Sequence, residues 1–293
     1  TASAGLPIPG RFDPAADGAK WVASITAAMT NLNNAAGVSA AGAVSSLPLS
    51  GALESGGVRI PDRAPDPPGQ GPNAQYSVVA GRYFRAAGIN LAAGRTFDAS
   101  DDAAGAATLI VNREFSRRYF GDERSALGRA VIPTFTFGPW REHTIVGIVD
   151  DVKQTALDAQ RTPQAYITVA QMPYPGLAFV VRSTGDPGAV AATIRREVRA
   201  ADPTFSVNEV RPWVDVLSES LARQRFSMTV IGVFAGSALA LAVVGLYGVL
   251  SLLVGQRRRE IGVRLVLGAK PSDVVRLMPA EGARVGVAGV VLG

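Results

Sequence analysis

The sequence predicts an α+β extracytoplasmic domain over residues 1–222, followed by transmembrane α-helices that begin near residue 223. Three observations lead to this fold class. Residues 228–254 form a run of 27 residues without a charged side chain. Three consecutive arginines follow almost directly, at 257–259. Before the run, short segments rich in β-branched residues alternate with segments of helical periodicity, which is the pattern of a mixed α+β domain.

Two longer helices are predicted in the first 222 residues. Residues 19–35 place apolar side chains at spacings of four, four and three, so they share one helix face. Residues 187–201 follow Asp186, a good N-cap, and start with Pro187, which suits the first helical position. Shorter helices are predicted over residues 82–87 and 113–119.

Strands are predicted where short apolar or alternating runs carry many β-branched residues. These runs cover residues 38–47, 76–80, 108–111, 144–149, 164–169, 178–182 and 205–210. Proline, glycine and aspartate crowd residues 61–72, which predicts an exposed loop.

The charge-free run predicts a membrane-spanning helix over about residues 228–254. At 1.5 Å per residue such a helix covers roughly 40 Å, more than the ~30 Å hydrocarbon core of a bilayer. A core helix of a soluble protein would usually carry a polar stripe, and this run has none. Gly232 and Gly236 form a small-xxx-small pair suited to helix packing in lipid. No helix breaker separates the run from residues 213–225, so we expect one continuous helix.

The position of the charge predicts the orientation in the membrane. The formal net charge is +5, yet residues 1–227 carry 22 basic against 21 acidic side chains. Residues 256–276 carry six basic against two acidic side chains. By the positive-inside bias this loop is cytoplasmic and residues 1–222 lie outside. The excess is confined to this loop, so we expect no nucleic-acid partner.

The sequence offers little for catalysis or cofactor binding. A phosphate-binding loop needs a lysine after a glycine, and none of the three lysines (Lys20, Lys153 and Lys270) follows one. There is no cysteine, and the single histidine, His143, begins a predicted strand, so we expect a structural role for it. The sequence therefore predicts no catalytic residue, no metal site and no cofactor.

Two pairs of adjacent acids could suggest acid–base chemistry, Asp101 with Asp102 and Asp150 with Asp151. Adjacent side chains in an extended segment point in opposite directions, which does not suit a shared site. We expect all four to be solvated loop residues.

The segment after the charge-free run contains the residues Arg258, Arg259, Glu260, Ile261, Gly262, Arg264, Leu265, Gly268 and Ala269. It resembles the coupling segment of the FtsX/MacB-type ABC transporter permeases. In this family an R-E-I-G-x-R-x-x-x-G-A motif follows the second membrane helix. Upstream segments resemble the MacB-like periplasmic core domain: residues 44–49, 83–84 with 88–89, 94–97, 111–112 and 146–153.

The resemblance implies that residues 257–276 form a cytoplasmic coupling helix that docks on an ABC ATPase subunit. It further implies a second permease copy or paralogue, a lipid membrane around the helices, and a periplasmic adaptor or cargo outside a bacterial inner membrane. Glu260 and Arg264 are spaced i,i+4, which favours a short amphipathic helix. Met278-Pro279 departs from the family pattern, and we expect a kink there.

Three alternatives stay open. The arginines could only anchor the loop to anionic lipid. The whole chain could be a membrane-anchored sensor or adhesion module. A tethered hydrolase is a third, although it lacks a nucleophile or metal set. We also expect the chain to continue on both sides. The apolar run over residues 285–293 is too short to span, so residues 283–293 are interpreted as a truncated second transmembrane helix, and no signal peptide precedes the outer domain.

Overall fold

The structure is a computed structural model that describes most of the chain. The described residues are 2–5, 12–48, 54–61, 63, 67, 71–134, 141–152, 160–205, 207, 210–256 and 263. The chain divides into two compact units, Thr1–Leu221 and Ala222–Gly293.

The described elements mix helices and strands along the first unit, in agreement with the predicted α+β class. The helices are α1 (Pro14–Asn34), α2 (Tyr83–Ala87), α3 (Arg113–Phe120), α4 (Pro187–Ala201) and α5 (Trp213–Gln256). The strands are β1 (Ala2–Gly5), β2 (Val38–Val44), β3 (Glu54–Arg59), β4 (Asn73–Gly81), β5 (Leu91–Gly94), β6 (Thr108–Asn112), β7 (Ala130–Thr134), β8 (His143–Val149), β9 (Gln164–Thr168), β10 (Ala178–Ser183) and β11 (Val210–Pro212).

Local capping explains where the two long helices of the first unit begin. The Asp186 carboxylate accepts a hydrogen bond from the Ala189 amide at 3.1 Å, and α4 has its predicted bounds. Helix α1 starts five residues before the predicted position. Asp13 accepts from the Ala15 amide at 2.9 Å and Pro14 occupies the first turn, so this pair sets the start rather than the apolar periodicity.

Six strands close into a ring, and four others extend from it. The ring follows the order β4-β3-β7-β8-β6-β9 and is closed by parallel pairing of β9 with β4. From β4 the sheet continues through β2, β10 and β1 to β11. Strand β5 pairs with β8 beside the ring. The first unit is thus a ring with an open sheet attached to it.

Three apolar clusters fill this unit. Helices α1 and α4 cover the open sheet, where Ile25, Ile194 and Phe179 are fully buried. A second cluster takes side chains from all six strands of the ring and adds Phe115 of α3. In the third, α2 places Phe84 edge-on against Tyr166 of β9, with ring centroids 5.1 Å apart. Four strands of the ring, β4, β6, β8 and β9, therefore contribute side chains to more than one apolar cluster.

Four strands of the ring were predicted, namely β4, β6, β8 and β9, and one prediction on the open sheet was wrong. Within the predicted strand over 205–210, the described residues Phe205 and Val207 lie outside any strand, and β11 begins at Val210. The Phe205 amide instead donates to the Asp202 carbonyl at 3.0 Å, which closes a turn after α4, and its side chain is buried. Burial of the aromatic ring explains the apolar pattern without a strand.

A bulge in β8 brings two backbones into close approach. The register of β6 against β8 shifts between Leu109 and Ile110, which allows Ile145 and Ile148 to enter the same cluster. Gly147 lies at the shift and pairs with Gly94 of β5. A Cβ on Gly147 would stand 2.1 Å from the Arg95 carbonyl oxygen, so only glycine fits.

We expect Gly147→Ala to destabilise the first unit by about 2–3 kcal/mol, because the obstacle is backbone rather than a flexible side chain. For a unit of this size, that corresponds to a fall of roughly 5 °C or more in the thermal midpoint. Differential scanning fluorimetry of the full-length protein would measure it. Gly185→Ala is the matched control, since its Cβ would meet only Val190 Cγ2 at 3.8 Å. Equal midpoints for both variants would refute the close approach.

Candidate functional site

The described part of α5 contains a long apolar surface that no other described residue covers. Met228–Val249 spans 22 residues with a mean hydropathy of 2.2, and none of it is buried. Phe234 and Leu241 are 71% and 74% exposed. A soluble domain rarely leaves so large an apolar surface in water. At 1.5 Å per residue the segment covers roughly 33 Å, enough for the ~30 Å hydrocarbon core.

The backbone of this segment and the Ser237 hydroxyl are hydrogen-bonded within the helix. Ser237 Oγ donates to the Val233 carbonyl oxygen at 2.8 Å, and the backbone is helical throughout. Lipid offers no hydrogen bonds, so an apolar environment requires this internal satisfaction. In the described part of the chain this is the one helix long and apolar enough to cross a membrane.

Gly232 and Gly236 lie on this helix with open space beside them. A Cβ added at either position would meet no atom within 4 Å. Their proposed packing against another helix therefore stays a prediction.

Helix α5 follows an edge strand directly. Strand β11 ends at Pro212 and α5 begins at Trp213, and the helix continues to Gln256. One continuous helix was predicted here, and the structure has one. Among the described strands, β11 pairs only with β1, in the antiparallel register that places Ala2 opposite Pro212. Strand β1 is thus the neighbour of the strand that leads into α5.

The predicted coupling residues lie outside the described part of the chain. This applies to Arg258, Arg259, Glu260, Ile261, Gly262, Arg264, Leu265, Gly268 and Ala269, and to the predicted truncated transmembrane helix at 283–293. Within 257–276 only Val263 is described, as helical and 56% exposed. The docking role of these residues remains a prediction from sequence.

The acid pairs are structural, and the expectation that all four are solvated was wrong. Asp101 is 1% exposed at its side chain and binds Arg95 through two hydrogen bonds, at 2.6 and 2.9 Å. It also accepts from Thr108 Oγ1 at 2.8 Å and from the Asp98 amide at 2.9 Å. Burial alone would raise the pKa of this carboxyl, but these hydrogen bonds and the Arg95 charge outweigh it and lower the pKa. Asp102 is exposed, as expected.

The second acid pair organises the start of α3. Asp151 accepts from the Glu114 amide at 2.8 Å, and its side chain is 11% exposed. Asp150 accepts from Arg113 Nε at 2.8 Å and from Asn90 at 3.0 Å. Hydrogen bonds from Arg113 and Asn90 lower the pKa of Asp150. Both carboxylates are held in ion pairs and caps, which is not the arrangement of a general acid–base pair.

His143 is buried, as a structural residue would be. Its Nδ1 lies 2.8 Å from the Arg141 carbonyl oxygen, and burial lowers its pKa, which favours the neutral ring at physiological pH. Among the described residues no group of three or more histidine, cysteine or acidic side chains could bind a metal ion.

An α+β domain followed by an exposed apolar helix of spanning length defines a membrane protein with a large domain outside the bilayer. The family model for the MacB-like periplasmic core domain matches residues 9–197, and that for the FtsX-like permease C-terminal region matches residues 232–293. The chain belongs to the FtsX/MacB-type ABC transporter permeases.

Two curated relatives are similar to this chain. The macrolide export ATP-binding/permease protein MacB of Agrobacterium fabrum is 25% identical over 235 residues, covering 75% of this chain and 34% of the relative. The probable syringafactin export ATP-binding/permease protein SyfD of Pseudomonas syringae pv. tomato is 24% identical over 228 residues, with 75% and 33% coverage. The chain thus spans about one third of the length of these relatives.

Among solved structures, the periplasmic region of MacB from Actinobacillus actinomycetemcomitans is similar to this chain with a TM-score of 0.46 and 11% identity. The similarity covers 75% of this chain and 92% of that one.

Proposed function

We propose that this chain is the mechanical part of an ABC transporter permease. ATP-driven movement of a nucleotide-binding partner displaces residues 257–276, α5 carries the displacement through the membrane, and the first unit acts on cargo outside. The chain itself has no catalytic role in this proposal.

One observation carries the proposal: α5 is continuous from the edge of the sheet to the end of the apolar run. A displacement applied near Gln256 reaches Trp213 without passing through a loop. Since β11 precedes Trp213 directly and pairs with β1, the displacement is delivered to two adjacent strands at one edge. A flexible linker at this position would absorb the movement instead.

The charge distribution supports a position of the first unit outside the bacterial inner membrane. The basic cluster follows the apolar run, and positive residues favour the cytoplasmic side. The match to a periplasmic core domain over residues 9–197 supports the same orientation. The match to the FtsX-like permease region over residues 232–293 disfavours a sensor or adhesion module.

The partners follow from the family. We propose an ABC ATPase component and a second permease copy, as either a homodimer or a heterodimer. The names of the curated relatives join ATP binding and permease in one protein. The proposal holds both for an ATPase on a separate subunit and for one on the same polypeptide. In this proposal, movement of the first unit extracts or exports a cargo.

Cysteine labelling tests the orientation on which this proposal depends. The 293 residues contain no cysteine, so Ala103→Cys in an exposed loop of the first unit and Ser272→Cys after the apolar run give two matched single sites. In full-length protein cleared of other cysteines, we expect a membrane-impermeant maleimide to label residue 103 in spheroplasts. Residue 272 should react only after the inner membrane is opened. The reverse pattern would overturn the proposal.

A further inference from the structure

A small cavity in the first unit combines apolar side chains with two arginines that form no ion pair with the described residues. Its volume is about 260 Å³. Phe84 and Phe97 line it, as do Arg82 and Arg85, and Thr96 and Thr168 add two hydroxyl groups. None of the described residues that line it is acidic.

The backbone under the two arginines is fixed. The Arg82 amide donates to the Ala41 carbonyl oxygen at 2.9 Å, and the Ala86 amide donates to the Arg82 carbonyl oxygen at 2.9 Å. Gly81 has φ of +60°, which turns the chain from β4 into α2. The guanidinium groups therefore extend from a defined turn at the end of β4.

Pairing of β4 with β9 and packing of Phe84 fix other residues that line the cavity. Strands β4 and β9 are parallel and end at the same edge of the ring, where Val79 is paired with Thr168. Phe84 is 6% exposed and packs edge-on against Tyr166. These contacts are present without a ligand, so the cavity is preformed.

The charge at this cavity is uncompensated. Arg82 and Arg85 are exposed, and neither forms an ion pair or hydrogen bond through its guanidinium with the described residues. They are three residues apart on one turn, so their like charges repel each other. By contrast, Arg95 and Arg113 of the same unit pair with carboxylates. An anion between Arg82 and Arg85 would relieve the repulsion.

We infer that this cavity binds an amphipathic anion: a carboxylate or phosphate that carries a short apolar chain. The guanidinium groups bind the anionic head through charge-assisted hydrogen bonds, while Phe84 and Phe97 contact the chain. The volume lies just below the roughly 300–1,000 Å³ of sites for drug-sized ligands, so the ligand is small. This inference goes beyond the proposed transport function and does not depend on it.

Equilibrium dialysis with the full-length protein in lipid nanodiscs tests this site, with empty nanodiscs subtracted. The probes are octanoate and octyl phosphate, which share an apolar chain and differ in the anion. Acetate supplies the charge without the chain, and octylamine supplies the chain with the opposite charge. We expect one or both amphipathic anions to bind and the other two probes to remain at background; the tighter anion identifies the head group.

Paired arginine variants give the deciding comparison. Arg82→Gln with Arg85→Gln should weaken binding by about tenfold or more, since charge-assisted hydrogen bonds are lost. Arg195→Gln with Arg199→Gln removes two equally exposed arginines from α4 of the same unit and should leave binding unchanged. The inference is overturned if neither octanoate nor octyl phosphate exceeds the empty-nanodisc background, or if both double variants bind alike. Binding of octylamine with the same affinity as octanoate would also overturn the inference.

Discussion

Exchanging the charges of Glu260 and Arg264 in the full-length protein is expected to abolish stimulation of the partner ATPase. The double variant Glu260→Arg with Arg264→Glu keeps the net charge and keeps an i,i+4 pair, but it reverses the order of the charges on the proposed coupling helix. At a docked interface this places like charges opposite each other, which costs several kcal/mol. We expect a loss of tenfold or more in stimulated ATP hydrolysis, about 1.4 kcal/mol at the least.

Steady-state ATP hydrolysis by the assembled transporter in nanodiscs measures this effect. Arg257→Gln serves as the control, because it removes a charge beside the matched motif. If the basic segment only anchors to anionic lipid, the net charge decides its binding, so Arg257→Gln should be the more harmful change. Wild-type stimulation in the charge-exchanged variant would refute the docking role.

Replacing Asp101 by alanine is expected to destabilise the ring of the first unit by about 2–3 kcal/mol. The substitution leaves the Thr108 hydroxyl and the Asp98 amide without their acceptor, and it removes the partner of Arg95. Removing one member of a fully buried pair costs about 3–5 kcal/mol. The expected loss of stability for Asp101→Ala is smaller, because the Arg95 side chain is 42% exposed and can turn toward water.

Hydrogen exchange of the full-length protein measures this loss at β6, since Thr108 begins that strand. About 2–3 kcal/mol corresponds to a fall of roughly 30- to 150-fold in amide protection. Asp102→Ala is the matched control, because Asp102 is exposed and accepts only from the local amides of Ala104 and Gly105. Unchanged protection in the Asp101 variant would contradict the structural role.

Lowering the pH should remove the stabilisation that the Asp101 carboxylate provides. The pKa of Asp101 is lowered on folding from its ordinary 3.8, so below that value the unfolded state takes up a proton more readily than the folded state. The stabilisation is therefore complete above pH 3.8 and is lost as the pH falls through the lowered pKa. The Asp101→Ala variant should lack this part of the acid dependence.

Sequence reasoning succeeded where a signal is local. The absence of charge over 228–254 was enough to predict the apolar part of α5, because spanning a bilayer requires a long uninterrupted run. Asp186 and Pro187 predicted the start of α4, because capping depends on neighbouring residues. Strands with many β-branched residues, such as β6 and β8, were predicted for the same reason.

The prediction missed strands that form because of pairing with other strands and not because of their own residues. Strand β3 has the sequence ESGGVR, and its place in the sheet comes from pairing with β4 and β7. Strand β7 contains Pro133, which usually argues against a strand inside a sheet. It is tolerated because β7 pairs with β8 only at Ala130 and Val131, so the missing amide of Pro133 has no partner to lose there.

The buried state of Asp101 could not be deduced for a related reason. Its partners Arg95 and Thr108 come from different sides of an irregular loop, and no periodic pattern links them. The arginine cavity was likewise missed, since Arg82 and Thr168 come together only through the parallel pairing of β4 with β9. Side chains that meet through distant strands leave no signature in a single sequence.

In the proposed function, the junction between β11 and α5 would limit the force that the first unit receives. Strand β11 has three residues, and among the described strands it pairs only with β1, whereas β10 and β2 are paired over six positions. With each hydrogen bond worth about 1 kcal/mol, an excessive pull along the helix would peel β11 away and leave the rest of the sheet intact. Overload would then uncouple the domain reversibly, because a three-residue strand can pair again without refolding of the whole unit.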